Sequence, residues 1–156
     1  MAAAGIGVAV GIAIGHGGEQ PASARAPLGE AQAVALVVGE VRQDGTTFDS
    51  WYRARLDGLA PGIRFTYGAV HDGTDVCGFW KVYAEVIPGP GTGQPANAIQ
   101  MLNKHGSIAT VDELSGRVLG MDTFGKTYVD QDTHCPVQAP PEQHTWLDDF
   151  RAGATP

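Results

Sequence analysis

The chain has 156 residues, 43% of them hydrophobic, with 10 Lys and Arg against 17 Asp and Glu and a formal net charge of -7. That length suits one domain with a sizeable core. The acidic balance repels phosphate backbones and anionic membrane surfaces, so nucleic acid is not expected as a partner. The 22 Gly and 10 Pro point to many turns.

An apolar run from Ala2 to Gly15 opens the chain and is followed by a polar bend and Ala22-Ser23-Ala24. Small residues at the first and third positions of that triplet fit a signal peptidase. Residues 1–26 therefore read as an export signal cut after Ala24, with a cut after Ala26 as the second choice because Pro27 would follow the broken bond. No Lys or Arg precedes the run, and it is shorter than the roughly 20 residues that cross a bilayer. After the cut no stable membrane anchor is expected, and the location is secreted, extracellular or in the cell envelope. The mature chain is expected as one domain over 27–150 with a disordered tail over 151–156.

Ala33 to Val41 is a rich apolar run that reads as a strand, ended by the turn Gln43-Asp44-Gly45. Tyr52, Ala54 and Leu56 then alternate with Arg53, Arg55 and Asp57, which predicts a second strand with the apolar trio on its core side. Pro61-Gly62 breaks it. Phe65 to Val70 resumes as a strand before a turn at His71-Asp72-Gly73, and Trp80, Val82, Ala84 and Val86 alternate with Lys81, Tyr83 and Glu85 in the clearest strand pattern of the chain. Residues 88–95 form a long Pro- and Gly-rich loop. Beyond it, Ala96 to His105 fits either a helix or an extended segment, and Thr110 with Glu113 has capping-box spacing for a helical turn. Phe124 to Cys135 returns to strand character. Trp146, Leu147 and Phe150 form an apolar cluster expected to dock as a strand or one helical turn.

Cys77 and Cys135 are the only cysteines. An even count in an exported chain reads first as a structural disulfide, because a redox or metal pair is more often closely spaced.

The order of Trp80 with Ala84 and Val86, then Pro95-Ala96, then Asn103, then Gly120 to Asp130 (GMDTFGKTYVD) resembles the MPT-sixty-three-like family. These are small exported mycobacterial antigens with an immunoglobulin-like β-sandwich. Gly120, Gly125, Lys126 and Tyr128 match the family's Gly-x4-Gly-Lys-x-Tyr spacing, and Leu28-Gly29 is similar to its mature start. The chain departs from the pattern at MLNKHG and after Asp130. The resemblance implies an all-β sandwich, export from an actinobacterial host and antigenicity, and it carries over no catalytic residue. Leu56 to Tyr67 is also similar to the Leu-x-Pro-Gly corner of fibronectin type III domains, another β-sandwich.

A strand over 124–135 would project Asp130, Asp132 and His134 from one face, where two carboxylates and an imidazole can hold a divalent cation. The bland alternative is a solvated face whose charges discourage edge pairing. His71, Asp72 and Asp75 read as turn chemistry. There is no Gly-x-Ser-x-Gly elbow, phosphate loop, dinucleotide fingerprint or His-Glu-x-x-His motif, and no cofactor is expected. Outward-facing Tyr83 and Tyr128 are candidates for a partner-binding surface, with cross-strand pairing as the alternative. The expectation is thus a secreted, disulfide-bonded all-β sandwich with one or two short helical turns, binding an extracellular protein or ligand without catalysis. The alternatives are an exported metal-binding protein or metal-dependent enzyme using Asp130, Asp132 and His134, and an α+β ligand-binding cone with helices over 96–116.

Overall fold

A computed structural model of the protein describes residues 26–59, 61–87, 107–121, 126–140, 142–143 and 145–156. Two helices come first, α1 (Glu30–Val38) and α2 (Phe48–Leu59). The strands β1 (Phe65–Gly73), β2 (Gly78–Val86), β3 (Ser107–Asp112) and β4 (Val118–Gly120) follow, and helix α3 (Trp146–Arg151) comes last. The strands form one antiparallel sheet in the order β1-β2-β3-β4. This is a mixed α/β domain, which corrects the all-β sandwich expected from the sequence and from both resemblances. In place of a second sheet, helices supply the layer that covers the core face.

The two corrected strands show why. Ala33 to Val38 is apolar at nearly every position, so it carries no period, and a short run of this kind cannot be assigned from pattern alone. Its start is set by Gln32, whose side chain accepts the Gly29 amide at 2.9 Å, and Gly39 closes it by donating to the Ala35 carbonyl at 3.0 Å. Buried Ala33 and Val37 lie one turn apart on its inner face. In α2 the buried residues are Phe48, Trp51, Tyr52 and Leu56, a helical spacing, whereas Ala54 of the supposed strand trio is exposed. The Thr47 hydroxyl accepts the Ser50 amide at 3.2 Å and caps the helix start.

The expected strands at 65–70 and 80–86 are present. The first runs on through His71, Asp72 and Gly73, so the turn falls at 74–77 instead. Trp80, Val82, Ala84 and Val86 face the helices together with Phe65, Ala69, Ala109 and Val111. Against them pack Phe48, Trp51, Tyr52 and Phe150, whose rings meet at centroid distances of 5.4 to 5.8 Å. Full burial of each such side chain contributes roughly 1.5–3 kcal/mol. This cluster is therefore what joins α2 and α3 to each other and to the sheet.

The opposite face of the sheet buries Phe79, Thr110, Leu119 and Met121. Residues 126–140 are tied to this side by the Cys77–Cys135 disulfide and by Thr110 Oγ1, which meets Thr127 Oγ1 at 3.2 Å. The expected strand over this segment is replaced by irregular chain with one isolated bridge, Val129 to Pro136. The capping-box reading at Thr110 and Glu113 is likewise corrected, because Thr110 lies within β3 and Glu113 in the turn after it. The helix considered over 96–105 lies outside the described residues. Thr145 starts α3 instead: its hydroxyl donates to Asp148 Oδ2 at 2.6 Å and accepts the Asp148 amide at 3.1 Å. Leu147 and Phe150 of that helix are buried, as the apolar cluster predicted. Residues 151–156, expected as a disordered tail, include the last residue of α3 and are tied back through the Ala154 carbonyl.

Candidate functional site

Helix α2 places Trp51 and Arg55 one turn apart, and α3 brings Trp146 up beside them. The Arg55 guanidinium lies 5.4 Å from the Trp51 ring and 5.0 Å from the Trp146 ring. Both contacts are within cation–π range. Asp149 Oδ2 lies 3.7 Å from the guanidinium, within ion-pair range but too far for a hydrogen bond. Beside this stack lies a depression of about 420 Å³ lined by Arg55, Gly58, Leu59, Trp146 and Pro156. Leu59 at the end of α2 is 51% exposed and forms an apolar wall. A guanidinium fork set against two indoles, next to apolar surface, suits a carboxylate or similar anion on an apolar body.

Two further depressions, of about 360 and 370 Å³, also border α3 and its C-terminal residues. The first is lined by Asp148 and Asp149 beside Gln138 and Gln143, and the second by Arg42, Asp44 and Arg151. Much of the second one's charge is already paired, since Arg151 Nε donates to Glu40 Oε1 at 2.6 Å and Arg42 to Asp44 Oδ2 at 2.8 Å.

Between α2 and β1 lie two phenols, buried Tyr52 and half-buried Tyr67, with ring centroids 6.4 Å apart. Among the described residues the Tyr52 hydroxyl has no hydrogen-bond partner, and that of Tyr67 has only the Asp49 carboxylate near it. Burial pushes the ionisation of both far up, for Tyr67 with added help from Asp49. They are neutral at any physiological pH.

Asp130, Asp132 and His134 are not set side by side on a strand. They lie in a turn in which Asp130 Oδ1 accepts the Thr133 amide at 2.9 Å, the Thr133 hydroxyl at 3.0 Å and the Asp132 amide at 3.1 Å. The Thr133 amide bond is the main cause that lowers the Asp130 carboxyl below its ordinary value. His134 adopts a positive φ of 56°. Among the described residues no group of three His, Cys, Asp or Glu converges in a way that could hold a metal. His71 sits in β1, where its Nε2 meets Glu113 Oε2 at 3.2 Å, and Asp72 accepts from Lys81 Nζ at 2.5 Å. Tyr83 is half-buried and lies across Gly68 of the neighbouring strand, where a Cβ would stand 2.8 Å from its hydroxyl. Tyr128 is half-buried and engaged.

Sequence reading missed Arg55, Trp51 and Trp146 as a unit. The first two are spaced as helical neighbours, but assigning 52–57 to a strand put Arg55 in water and hid the i, i+4 relation. The third is 91 positions beyond Arg55, and only folding brings them together.

Among the described residues no helix is long and apolar enough to cross a membrane. No protein-family model, curated protein or solved structure matches this chain.

Proposed function

We propose that the protein is an exported, disulfide-bonded binding module that meets an extracellular ligand or protein through the Arg55–Trp146 depression and catalyses no reaction. The observation that carries this reading is the Cys77–Cys135 bond, since disulfides persist in oxidising compartments and are rare in the cytosol. The apolar run from Ala2 to Gly15 and the small-residue site at Ala24 agree with export. Antigenicity, implied by the family resemblance, belongs with the same location.

Several polar groups among the described residues are taken up in structural bonds. Asp130 holds a turn, Ser50 donates to the Thr47 carbonyl at 2.9 Å, and His71 is paired with Glu113. Arg55 is held more loosely, 3.7 Å from Asp149 and against Trp51 and Trp146, and its setting suits recognition of an anionic group on an apolar body.

The experiment has two arms. Intact mass of the protein recovered from an actinobacterial culture medium should fit a start at Arg25 and an oxidised cysteine pair. Titration with hexanoate, followed by tryptophan fluorescence, should saturate in the parent and vanish in Arg55→Ala. Protein retained in the cell with residues 1–15 attached, or a hexanoate response indifferent to Arg55, would refute the reading.

A further inference from the structure

Among the described residues no strand pairs with the outer edge of β1. The direction of its backbone groups follows from the bonds at its two ends, where the Thr74 amide donates to the Cys77 carbonyl at 2.8 Å and the Ile87 amide to the Arg64 carbonyl at 2.9 Å. Hydrogen-bonded pairs alternate in an antiparallel ladder. Arg64, Thr66, Gly68, Val70 and Asp72 therefore bond inward to β2, while Phe65, Tyr67, Ala69 and His71 turn their N–H and C=O groups to the free edge. Among the described residues the Ala69 amide finds only the Glu30 carboxylate, at 3.5 Å. Val70 projects from the face away from the helices and is 55% exposed. A nine-residue edge with an exposed valine is a template for another strand.

We propose that this edge pairs with the same edge of a second copy of the chain, antiparallel about a two-fold axis through Gly68. In that register Tyr67 exchanges main-chain bonds with the partner's Ala69, and Phe65 with the partner's His71. Thr66 then stands beside the partner's Val70, a β-branched pair that covers the exposed valine. Arg64 stands beside the partner's Asp72.

Charge favours this register, in which Arg64 joins the Lys81 that already meets Asp72 within its own chain. Arg64 and Asp72 lie at equal distances on either side of Gly68, so the axis makes the ion pair twice. Moving the axis to Ala69 sets Arg64 against Thr74, and moving it to Tyr67 sets Arg64 against Val70; both lose the pair. Gly68 at the centre carries no side chain, and Tyr83 fills the space above it. The result is one continuous sheet with helices on a single face.

The test is sedimentation equilibrium of the full, oxidised chain over about a hundredfold range of concentration, because an edge contact is smaller than the standard ~1,600 Å² interface and binds weakly. The average mass should rise from monomer toward dimer. Val70→Lys should weaken association at least about tenfold, because a charge on an edge strand blocks pairing. Arg64→Glu should weaken it too, and Arg64→Glu with Asp72→Arg should restore it. Hydrogen exchange gives an independent reading: the Tyr67 and Ala69 amides should slow in step with dimer formation, while the Val70 amide is slow throughout. Circular dichroism checks that each variant folds, and Arg64→Glu carries the test if Val70→Lys does not. A monomer at every concentration, a dimer untouched by these substitutions, or Tyr67 and Ala69 amides that stay fast in the dimer would overturn the proposal.

Discussion

The indole N–H of Trp51 donates to the carbonyl of Ala154 at 2.8 Å, joining the first turn of α2 to a residue 103 positions later. The same carbonyl accepts Arg42 Nη1 at 3.0 Å. Trp51 is 1% exposed, so this carbonyl serves a donor that water does not reach in the folded chain. The last residues are thus a structural strap over the aromatic core.

Removing residues 154–156 is expected to destabilise the fold by roughly 2–4 kcal/mol, since a buried indole donor and a guanidinium lose their shared acceptor. Trp51→Phe should cost less, because it removes the donor along with the need for it. Urea denaturation of both variants checks the order; equal stability of truncated and parent protein would contradict the strap.

Tyr52 is fully buried and its hydroxyl is unpartnered, so Tyr52→Phe should leave stability unchanged or raise it by up to about 1 kcal/mol, unlike most core substitutions. The pH dependence has a definite sign. The folded-state pKa is raised above the ordinary value of about 10, so the stabilisation is present below pH 10 and is lost as pH rises beyond it. Alkaline melting curves should show less loss in Tyr52→Phe than in the parent.

The disulfide closes a separation of 58 residues, for which the chain-entropy account gives about 4 kcal/mol. Reduction should lower the melting temperature by several degrees or more, and hydrogen exchange should quicken first in residues 126–137. Two thiols that react readily in the native protein would speak against the bond.

Asp130 separates turn from metal. Asp130→Asn keeps an acceptor for the Thr133 and Asp132 amides and should melt near the parent, whereas Asp130→Ala should melt lower. Because hydrogen bonding depresses the folded-state pKa, this contribution is present above pH 4 and is lost as pH falls through the lowered value. Calcium, manganese and zinc should leave the melting temperature unmoved. A metal-dependent rise that disappears in Asp130→Asn would restore the metal reading.

Gly120→Ala should cost about 1–3 kcal/mol by overpacking, since its Cβ would stand 2.5 Å from Thr145 Oγ1, the atom that caps α3. Thermal melts give the value, and a neutral result would show that Thr145 can shift without loss of the cap.

Elements whose information is local were legible in the order of residues. Alternation over Trp80 to Val86 marks β2 because one face is buried and the other is wetter, and Gly45 and Gly62 take positive φ in turns that their neighbours announce. With only two cysteines, the pairing of Cys77 with Cys135 needed no structure. The layer that covers the sheet, by contrast, follows from long-range packing. Ala33 to Val38 has no period to read, and residues 52–57 satisfy a strand pattern over six positions while Phe48, Trp51, Tyr52 and Leu56 satisfy a helical one over nine. The longer pattern prevails because Trp51, Tyr52 and Phe48 can bury their rings together only on one helix face, against Phe150 and the sheet. The turn at Asp130 and the meeting of Arg55 with Trp146 depend in the same way on partners distant in sequence or on backbone bonds, and alternation carries no record of either.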